Sequence, residues 1–480
     1  MSWQSILVSI FQYGLLIYSV VLLSFYVFIG IFSIREVKKY LFASRLFDPK
    51  DLAISSLAPS VSIIAPAYNE GISIVDNVRS LLSVYYSNLE IIVVNDGSKD
   101  DSLDKLIVAY ELQKIPFYFN QRIKTKTVLG VYKSKNPVFK KLIVVDKENG
   151  GKSDALNVGI NVSANKLMIC IDVDCIMEQD AVLKIIKPFL STNTVPVVCS
   201  GGVVRIANSC VIENGRLIKV ALPDKFMLRV QTLEYIRAFL LGRMAWSRLN
   251  GLLIVSGAFG AFDKEIVVSV GGYETRTVGE DMELVVRMRR YLEEKRIKYQ
   301  VTYIPDPLCW TEVPSDYKTL LKQRSRWMRG LVETLFAHRR IFFNPSYRVL
   351  GMLSYPYWFF YEFLAPIVET VGMFIFLVFW IFGMVGWGYF WQLFIFIISF
   401  GYLFSSFAIL MEVLTYNQYK DRKDISRLIG SIFLEPVIFH LFIVGSSLNG
   451  LVHIIQEKTG WGEMKRKGFG LEEGKDEITT

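Results

Sequence analysis

From Ser5 to Ile34 the chain carries no charged side chain. At 1.5 Å rise per residue, such a run exceeds the ~20 apolar residues that cross a bilayer as a helix. A cleaved signal peptide is the competing reading. Against it stand the lack of a positive n-region, the length of the apolar run and the absence of a small-x-small cleavage site. Arg35, Lys38, Lys39 and Arg45 follow directly, so the downstream side is expected to be cytoplasmic. The whole chain of 480 residues is 52% hydrophobic with a mean hydropathy of +0.34, too apolar for an ordinary soluble protein. Its net charge of +9 fits the cytoplasmic face of a membrane protein, and nothing beyond the basic pI supports nucleic-acid binding. Five cysteines scattered singly give neither a CxxC pattern nor a disulfide framework, and three histidines without ligand spacing argue against zinc. Any metal should therefore be held by oxygen.

Residues 45–345 change character, with apolar runs of strand length alternating with amphipathic helical stretches. This predicts a soluble α/β domain with a mainly parallel sheet. Expected strands are Val61–Ala65, Glu90–Val94, Lys141–Val145, Leu167–Ile171, Val195–Val204 and Gln300–Ile304, with helices such as Ile72–Tyr86 and Asp180–Leu190. Beyond Asn344 the apolar character returns in three blocks, near Val349–Val385, Gly388–Leu414 and Leu428–Ile455. The basic loop Lys420 to Arg427 makes the first two an in-out-in pair. The third block is either a single span or, interrupted at Pro436, bends back or lies at the interface; an inside tail is the favoured placement. The organisation expected is a membrane helix in 1–44, a cytosolic domain in 45–345, membrane or interfacial helices in 346–456 and a cytoplasmic tail in 457–480.

The strand ends carry the polar motifs, which is where open α/β sheets bind ligands. SIIAPAYNE (62–70) and IIVVNDGSKD (91–100) bring Ala67, Tyr68, Glu70 and Asp96 to one rim. That combination offers backbone, aromatic and carboxylate groups to a pyrimidine nucleotide, although NDGS by itself also reads as a turn. DKENGGKSDALN (146–157) sets Lys152 behind two glycines at a helix start, suited to a diphosphate. In IDVDC (171–175), Asp172 and Asp174 follow a buried strand and point to one side, so both can approach one Mg²⁺ or Mn²⁺; a solvated acidic turn is the alternative. VGEDMEL (278–284) opens a helix with Glu280 and Asp281, where the helix dipole alone would favour acids. QRSRW (323–327) packs Gln323, Arg324, Arg326 and Trp327 onto an amphipathic helix, as a phosphate and sugar site or a basic interfacial helix would.

Together, Asp96, DVD, GED and QRSRW resemble in order and spacing the processive family 2 glycosyltransferases, the group of cellulose, chitin, hyaluronan and poly-N-acetylglucosamine synthases. The resemblance covers roughly residues 55–340 and the membrane layout. It implies a GT-A fold in the cytosolic domain, bracketed by transmembrane helices, and an inverting single displacement from a UDP-sugar, with N-acetylglucosamine or glucose as leading donors. Ala67, Tyr68, Glu70, Asp96, Lys152 and Asp172 would contact the nucleotide-sugar and Asp174, with Asp172, the metal. Asp281, beside Glu280, would be the general base, QRSRW would clamp the diphosphate, and Trp327 would meet the acceptor. IVSGAFGAFDK (254–264) looks like the acceptor-side loop, implicating Gly257 and Phe259. Asp154 departs from the family pattern by adding a negative charge near Lys152, so it either points away or weakens that assignment.

Glu362, Glu369, Glu412 and Glu435 lie inside the apolar blocks, where carboxylates usually face a pore or a partner. Tyr355, Tyr357, Trp358 and Tyr361 could stack on a translocating chain or form an interfacial belt. The expected protein is thus a multi-pass plasma-membrane enzyme that polymerises and exports a glycan, with accessory subunits possible. Single transfer to a lipid carrier, or a nucleotide-sugar-binding transporter or sensor without turnover, are the other readings.

Overall fold

The structure is a computed structural model describing residues 3–45, 58–190 and 195–456. Its centre is one ten-stranded sheet in the order β3-β4-β5-β2-β1-β6-β11-β8-β12-β7. The strands are β1 Val61–Ala67, β2 Leu89–Asp96, β3 Leu112–Ile115, β4 Val128–Ser134, β5 Leu142–Lys147, β6 Leu167–Ile171, β7 Ile176–Met177 and β8 Val197–Ile206. A separate hairpin, β9 Val211–Glu213 with β10 Arg216–Lys219, precedes β11 Phe259–Asp263 and β12 Gln300–Thr311. Strands β5, β2, β1 and β6 pair in parallel, as do β8 and β12. The interposed β11 is antiparallel to both β6 and β8, so these six strands run in one direction, as does the edge strand β3 across the antiparallel β4. Those six are the strands expected from the sequence. Continuous apolar runs signal them because helices cover a parallel sheet on both faces.

The antiparallel strands escape such a reading for a physical reason. β3 (LQKI) and β4 (VLGVYKS) form a partly exposed edge, and β7 has only two residues. The buried β11 (FGAFD) is a short run following a glycine-rich loop and gives no distinct periodicity. The expected helix Ile72–Tyr86 is shorter, at Ile74–Leu82. Asp180–Leu190 divides into Ala181–Ile186 and a 3₁₀ turn, Lys187–Leu190.

Among the described residues three helices are long and apolar enough to cross a membrane: Ser5–Ser44, Trp387–Thr415 and Arg422–Ile455. Leu350–Phe363 and Ala365–Ile381 would make a fourth, bent by 44° between them. Pro366 accounts for that break, since it has no N–H to donate and crowds the preceding turn. Pro436 behaves differently from the expectation that the chain could bend back there. It sits in a π-helical turn, Glu435–Phe439, and the helix continues as His440–Ile455, the wider turn absorbing the missing donor. Residues 457–480, and with them the side on which the tail lies, fall outside the described residues.

The last apolar block packs against the domain as well as offering a span. Ser325 Oγ donates to Ser446 O at 2.9 Å, Asn449 Nδ2 donates to Ser325 Oγ at 2.9 Å, and a Cβ on Gly450 would lie 2.6 Å from Ser325 O. The helix Arg422–Leu434 rests on Phe226–Tyr235, with Arg229 Nε donating to Ser431 Oγ at 3.2 Å. A second seam is ionic. Arg205 of β8 pairs with Glu412 of Trp387–Thr415, both almost fully buried. Arg205 Nε and Nη1 and Glu412 Oε1 have no hydrogen-bond partner among the described residues. Removing one member of a buried ion pair strands the other charge and costs about 3–5 kcal/mol, whereas replacing both by apolar side chains can be neutral. Glu412→Leu is therefore expected to lower the thermal unfolding midpoint in detergent strongly, and adding Arg205→Met is expected to recover most of it.

Candidate active site

The sequence between β5 and the helix Lys152–Val162 builds the first wall of the site. Gly151 caps that helix at φ +86°, a conformation that side-chain-bearing residues avoid. This turn places Lys152 at the helix start. Its Nζ lies 2.5 Å from Asp172 Oδ1 and 3.4 Å from Glu280 Oε1, and donates to Gly257 O at 3.3 Å. Burial works against the charge on Lys152, but Asp172 and Glu280 outweigh it and hold the ammonium well above its ordinary range.

Asp172 leaves the end of β6 with its N–H bonded to Ala258 O at 3.1 Å, and Asp174 follows, nearly buried. The second wall is the start of Glu280–Glu294, whose first two side chains separate. Glu280 faces Lys152. Asp281 takes a bond from Met282 N at 2.8 Å through Oδ1, and its Oδ2 faces Gly257, where a Cβ would come within 2.9 Å. The third wall is the helix Tyr317–Ala337. Gly330, three residues beyond Trp327, lies so close to Gly279 that a Cβ on either glycine would meet the other's Cα at 2.6 Å. This contact locks GED against QRSRW.

These walls enclose a cavity of about 1120 Å³ lined by Lys152, Asp172, Asp174, Gly257, Glu280, Asp281, Gln323, Arg324, Arg326 and Trp327. It continues past Tyr357, Trp358 and Tyr361 to Leu22 and Tyr26 of the first helix, and to Glu362, Glu369 and His440. Tyr355 is not part of it: this side chain is buried and donates to Leu335 O. The four acidic residues of the apolar blocks all face the cavity or a cation. Glu362 and Glu369 line the cavity, and Glu369 meets His440 at 2.8 Å. Glu435 holds Arg237 in a fork at 2.8 and 2.9 Å, and Glu412 holds Arg205.

Ala67, Tyr68, Glu70 and Asp96 do not line this cavity. They occupy the ends of β1 and β2, next to β6, where the two loops are zipped together. Lys99 N donates to Asn69 Oδ1 at 2.8 Å and Gly71 N to Asp100 Oδ2 at 2.9 Å. Asp96 is nearly buried and accepts from Lys147 Nζ, Gly150 N at 3.0 Å and Gly151 N at 2.8 Å. Lys147, fully buried, also pairs with Asp154 at 2.7 Å. Asp154 therefore points away from Lys152 and shares the Lys147 ammonium with Asp96.

Two further placements differ from the sequence reading. Phe259 is a correction: β11 is covered on both faces, and this side chain is fully buried in the core instead of lining the cavity as Gly257 does. Arg324 is committed to Glu234 in a fork at 2.6 and 2.7 Å and stacks 4.2 Å from the Trp327 ring. Lys147, Glu234 and Gly330 escaped the sequence reading. Only Lys147, two residues beyond the expected strand Lys141–Val145 and at the end of the observed β5, carried a usable signal.

Asp172 and Asp174 are the groups that could hold a divalent cation. Among the described residues no three His, Cys, Asp or Glu side chains gather into a ready-made cation site. Two carboxylates at a strand end nevertheless fit Mg²⁺ or Mn²⁺, which take oxygen ligands and complete their shell with substrate phosphates and water.

Residues 58–330 match the profile of the family described as glycosyltransferase like family 2, a span that holds every motif from NDGS to QRSRW. The chain belongs to that family. Its sheet of six parallel-paired strands with β11 inserted is the GT-A-like domain of the family, with helices long and apolar enough to cross a membrane at both ends. A poly-beta-1,6-N-acetyl-D-glucosamine synthase of Staphylococcus epidermidis is 29% identical over 276 residues, covering 57% of this chain and 55% of the relative. One from Staphylococcus aureus is 31% identical over 278 residues, with the same shares of 57% and 55%. The chain thus spans about half the length of the curated relatives it matches. A mannosyltransferase from Pyrobaculum calidifontis, solved with GDP-Man and Mn²⁺, aligns with a TM-score of 0.49 at 14% identity over 90% of this chain and 100% of that one. Similarity at that level assigns no residue a role here.

Burial raises the Glu280 carboxyl to about 7, with Lys152 pulling it down and Asp281 pushing it up. A carboxyl with a raised folded-state pKa binds its proton more tightly folded than unfolded. Its contribution to stability is therefore full below the ordinary 4.5 and lost as pH rises to about 7. At 1.36 kcal/mol per unit the upper limit is about 3 kcal/mol. Glu280→Gln is expected to flatten the fall of the unfolding midpoint between about pH 5 and 7.5, measured by thermal scans without donor or metal.

Proposed function

We propose that this chain is a membrane-bound inverting glycosyltransferase that polymerises a sugar from a UDP-sugar, N-acetylglucosamine or glucose, and passes the growing glycan toward the bilayer. The observation carrying this reading is the single cavity that joins Lys152, Asp172, Asp174 and Asp281 to residues of the membrane-type helices, including Tyr26, Tyr361 and Glu369. A soluble single-transfer site would have no need of such an extension.

In this reading Asp281 accepts the proton of the acceptor hydroxyl as its oxygen attacks the anomeric carbon, the bond to the diphosphate breaks, and the configuration inverts. Lys152 and Arg326 of QRSRW meet the charge that develops on the leaving UDP, while Arg324, held by Glu234, braces the helix that carries Arg326. Asp172 and Asp174 would hold a Mg²⁺ or Mn²⁺, which when bound supplies further neutralisation of the diphosphate. Ala67, Tyr68, Glu70 and Asp96 form the shelf for the base, one strand away. Gly257 leaves room for the acceptor before Asp281, and Trp327, 42% exposed, offers a ring to its sugar face. The catalytic domain, residues 45–345, lies on the cytoplasmic side of the plasma membrane because basic residues follow the first helix. The protein is multi-pass, and its partners are the donor, the glycan acceptor and the bilayer.

The test is the purified full-length protein in lipid vesicles, supplied with a panel of UDP-sugars and Mn²⁺ or Mg²⁺, with labelled product sized beside an Asp281→Asn control. A long, metal-dependent polymer from one donor, absent in the control and protected inside the vesicle, is the expected result. A single-sugar lipid product would replace polymerisation by transfer to a carrier, and no turnover with any donor would overturn the enzyme reading.

A further inference from the structure

One guanidinium in the cavity wall has no role above. Arg243 ends the π-helical segment Ile236–Arg243, a distortion of the kind that concentrates at functional sites. Its Nε donates to Val255 O at 2.9 Å, in the strand-like loop that leads to Gly257. Its plane stacks on Phe239, 4.1 Å from the ring centroid, with Tyr303 at 6.0 Å. Among the described residues no carboxylate pairs with it, in contrast to Arg324 and Lys152, so its two terminal nitrogens remain as donors toward the cavity that it lines with Asp281 and Glu362. Burial lowers its pKa, while Tyr303, Asp281, Tyr235 and Glu362 act in the opposite direction; a guanidinium stays charged under such a shift.

The surroundings decide what those donors can take. A carboxylate or phosphate would suit a guanidinium fork, but Arg324 already neutralises Glu234, and the cavity beyond Asp281 still presents the carboxylates of Glu362 and of Glu369, the latter beside His440, which would oppose a polyanion along the path. Uncharged oxygens, hydroxyl or amide carbonyl, meet the fork without that penalty. The Phe239 ring fixes the guanidinium plane, so its edge presents donors in a set direction.

We propose that Arg243 is an acceptor-binding and specificity-determining residue, whose terminal N–H groups donate to uncharged oxygens of the acceptor saccharide and turn its attacking hydroxyl toward Asp281. The inference rests on the glycosyl-transfer reading and names the substrate class of the acceptor side: a neutral saccharide.

The test uses the full-length protein in vesicles with its preferred UDP-sugar, varying the concentration of a neutral oligosaccharide acceptor. Arg243→Gln is expected to raise the acceptor KM tenfold or more while the donor KM moves less than twofold; Arg243→Lys, which keeps a charge but not the fork, falls between. A uronate-terminated oligosaccharide is expected to be the poorer acceptor for the parent protein. The proposal is overturned if donor and acceptor KM rise together, if the acceptor KM is unchanged, or if the uronate acceptor is preferred. Should Arg243→Gln fail to fold, Arg243→Lys and Phe239→Leu carry the same KM comparison. Absence of transfer by the parent protein would instead sink the glycosyltransferase reading itself.

Discussion

Asp281→Asn is expected to lower kcat for sugar transfer by about 10³, within the range of about 10²–10⁴ that a positioned general base contributes. The substitution is isosteric, and its amide can still accept the bond from Met282 N that Asp281 Oδ1 accepts at 2.8 Å. The helix start and the cavity should therefore survive, with an unfolding midpoint close to that of the parent. What the amide cannot do is accept a proton. Donor KM should change little, because the groups proposed to face the diphosphate lie around Lys152. Steady-state kinetics with the preferred UDP-sugar, beside a thermal scan of the same preparation, checks both halves. If kcat stays within tenfold, the proton goes elsewhere, and Glu280 becomes the group to test. Its raised pKa of about 7 would suit a base, but its placement 3.4 Å from Lys152 turns it toward the donor.

Gly330→Ala should produce the second large effect, in a residue that touches no substrate in the proposed reading. Its added Cβ would meet Gly279 Cα at 2.6 Å and Gly279 N at 2.9 Å, and backbone atoms at a helix start cannot move aside as a flexible side chain does. The helix Glu280–Glu294 must then shift against Tyr317–Ala337, carrying Asp281 away from the groups on QRSRW. Overpacking of this kind costs about 1–3 kcal/mol, and a displacement near 1 Å at a reacting group can cost about 10² in rate. The expected variant is folded, moderately destabilised and about a hundredfold slower. Ala at Gly430, around which a Cβ meets nothing within 4 Å, serves as a control, expected to retain the parent's activity. An undiminished rate in Gly330→Ala would mean that the two motifs need not be held in register.

Both predictions concern residues of quite different legibility. Asp281 could be singled out because an acidic pair at a helix start, in order with DVD and QRSRW, carries chemistry in its residue types. Gly330 could not, since a glycine in an amphipathic helix announces neither a neighbour nor a distance. The six parallel-paired strands were readable for the first reason: burial on both faces demands continuous apolar runs, and those runs are visible in the residues themselves. The antiparallel β11 was not, although it joins β6 to β8, and the resemblance that set Phe259 on the acceptor side carried no sign that the side chain is buried in that strand.

The chain by itself determined the membrane-type helices, the α/β domain between them and the strand ends that bear polar groups, because each of these follows from local hydrophobic pattern and residue chemistry. Only tertiary structure decided which charges are free to act. Asp154 shares Lys147 with Asp96 instead of opposing Lys152, Arg324 is held by Glu234, and the glutamates of the apolar blocks find Arg205, Arg237, His440 or the cavity. Those pairings join residues up to 207 positions apart. Burying a charge fixes its partner through space, and no spacing along the chain encodes that distance.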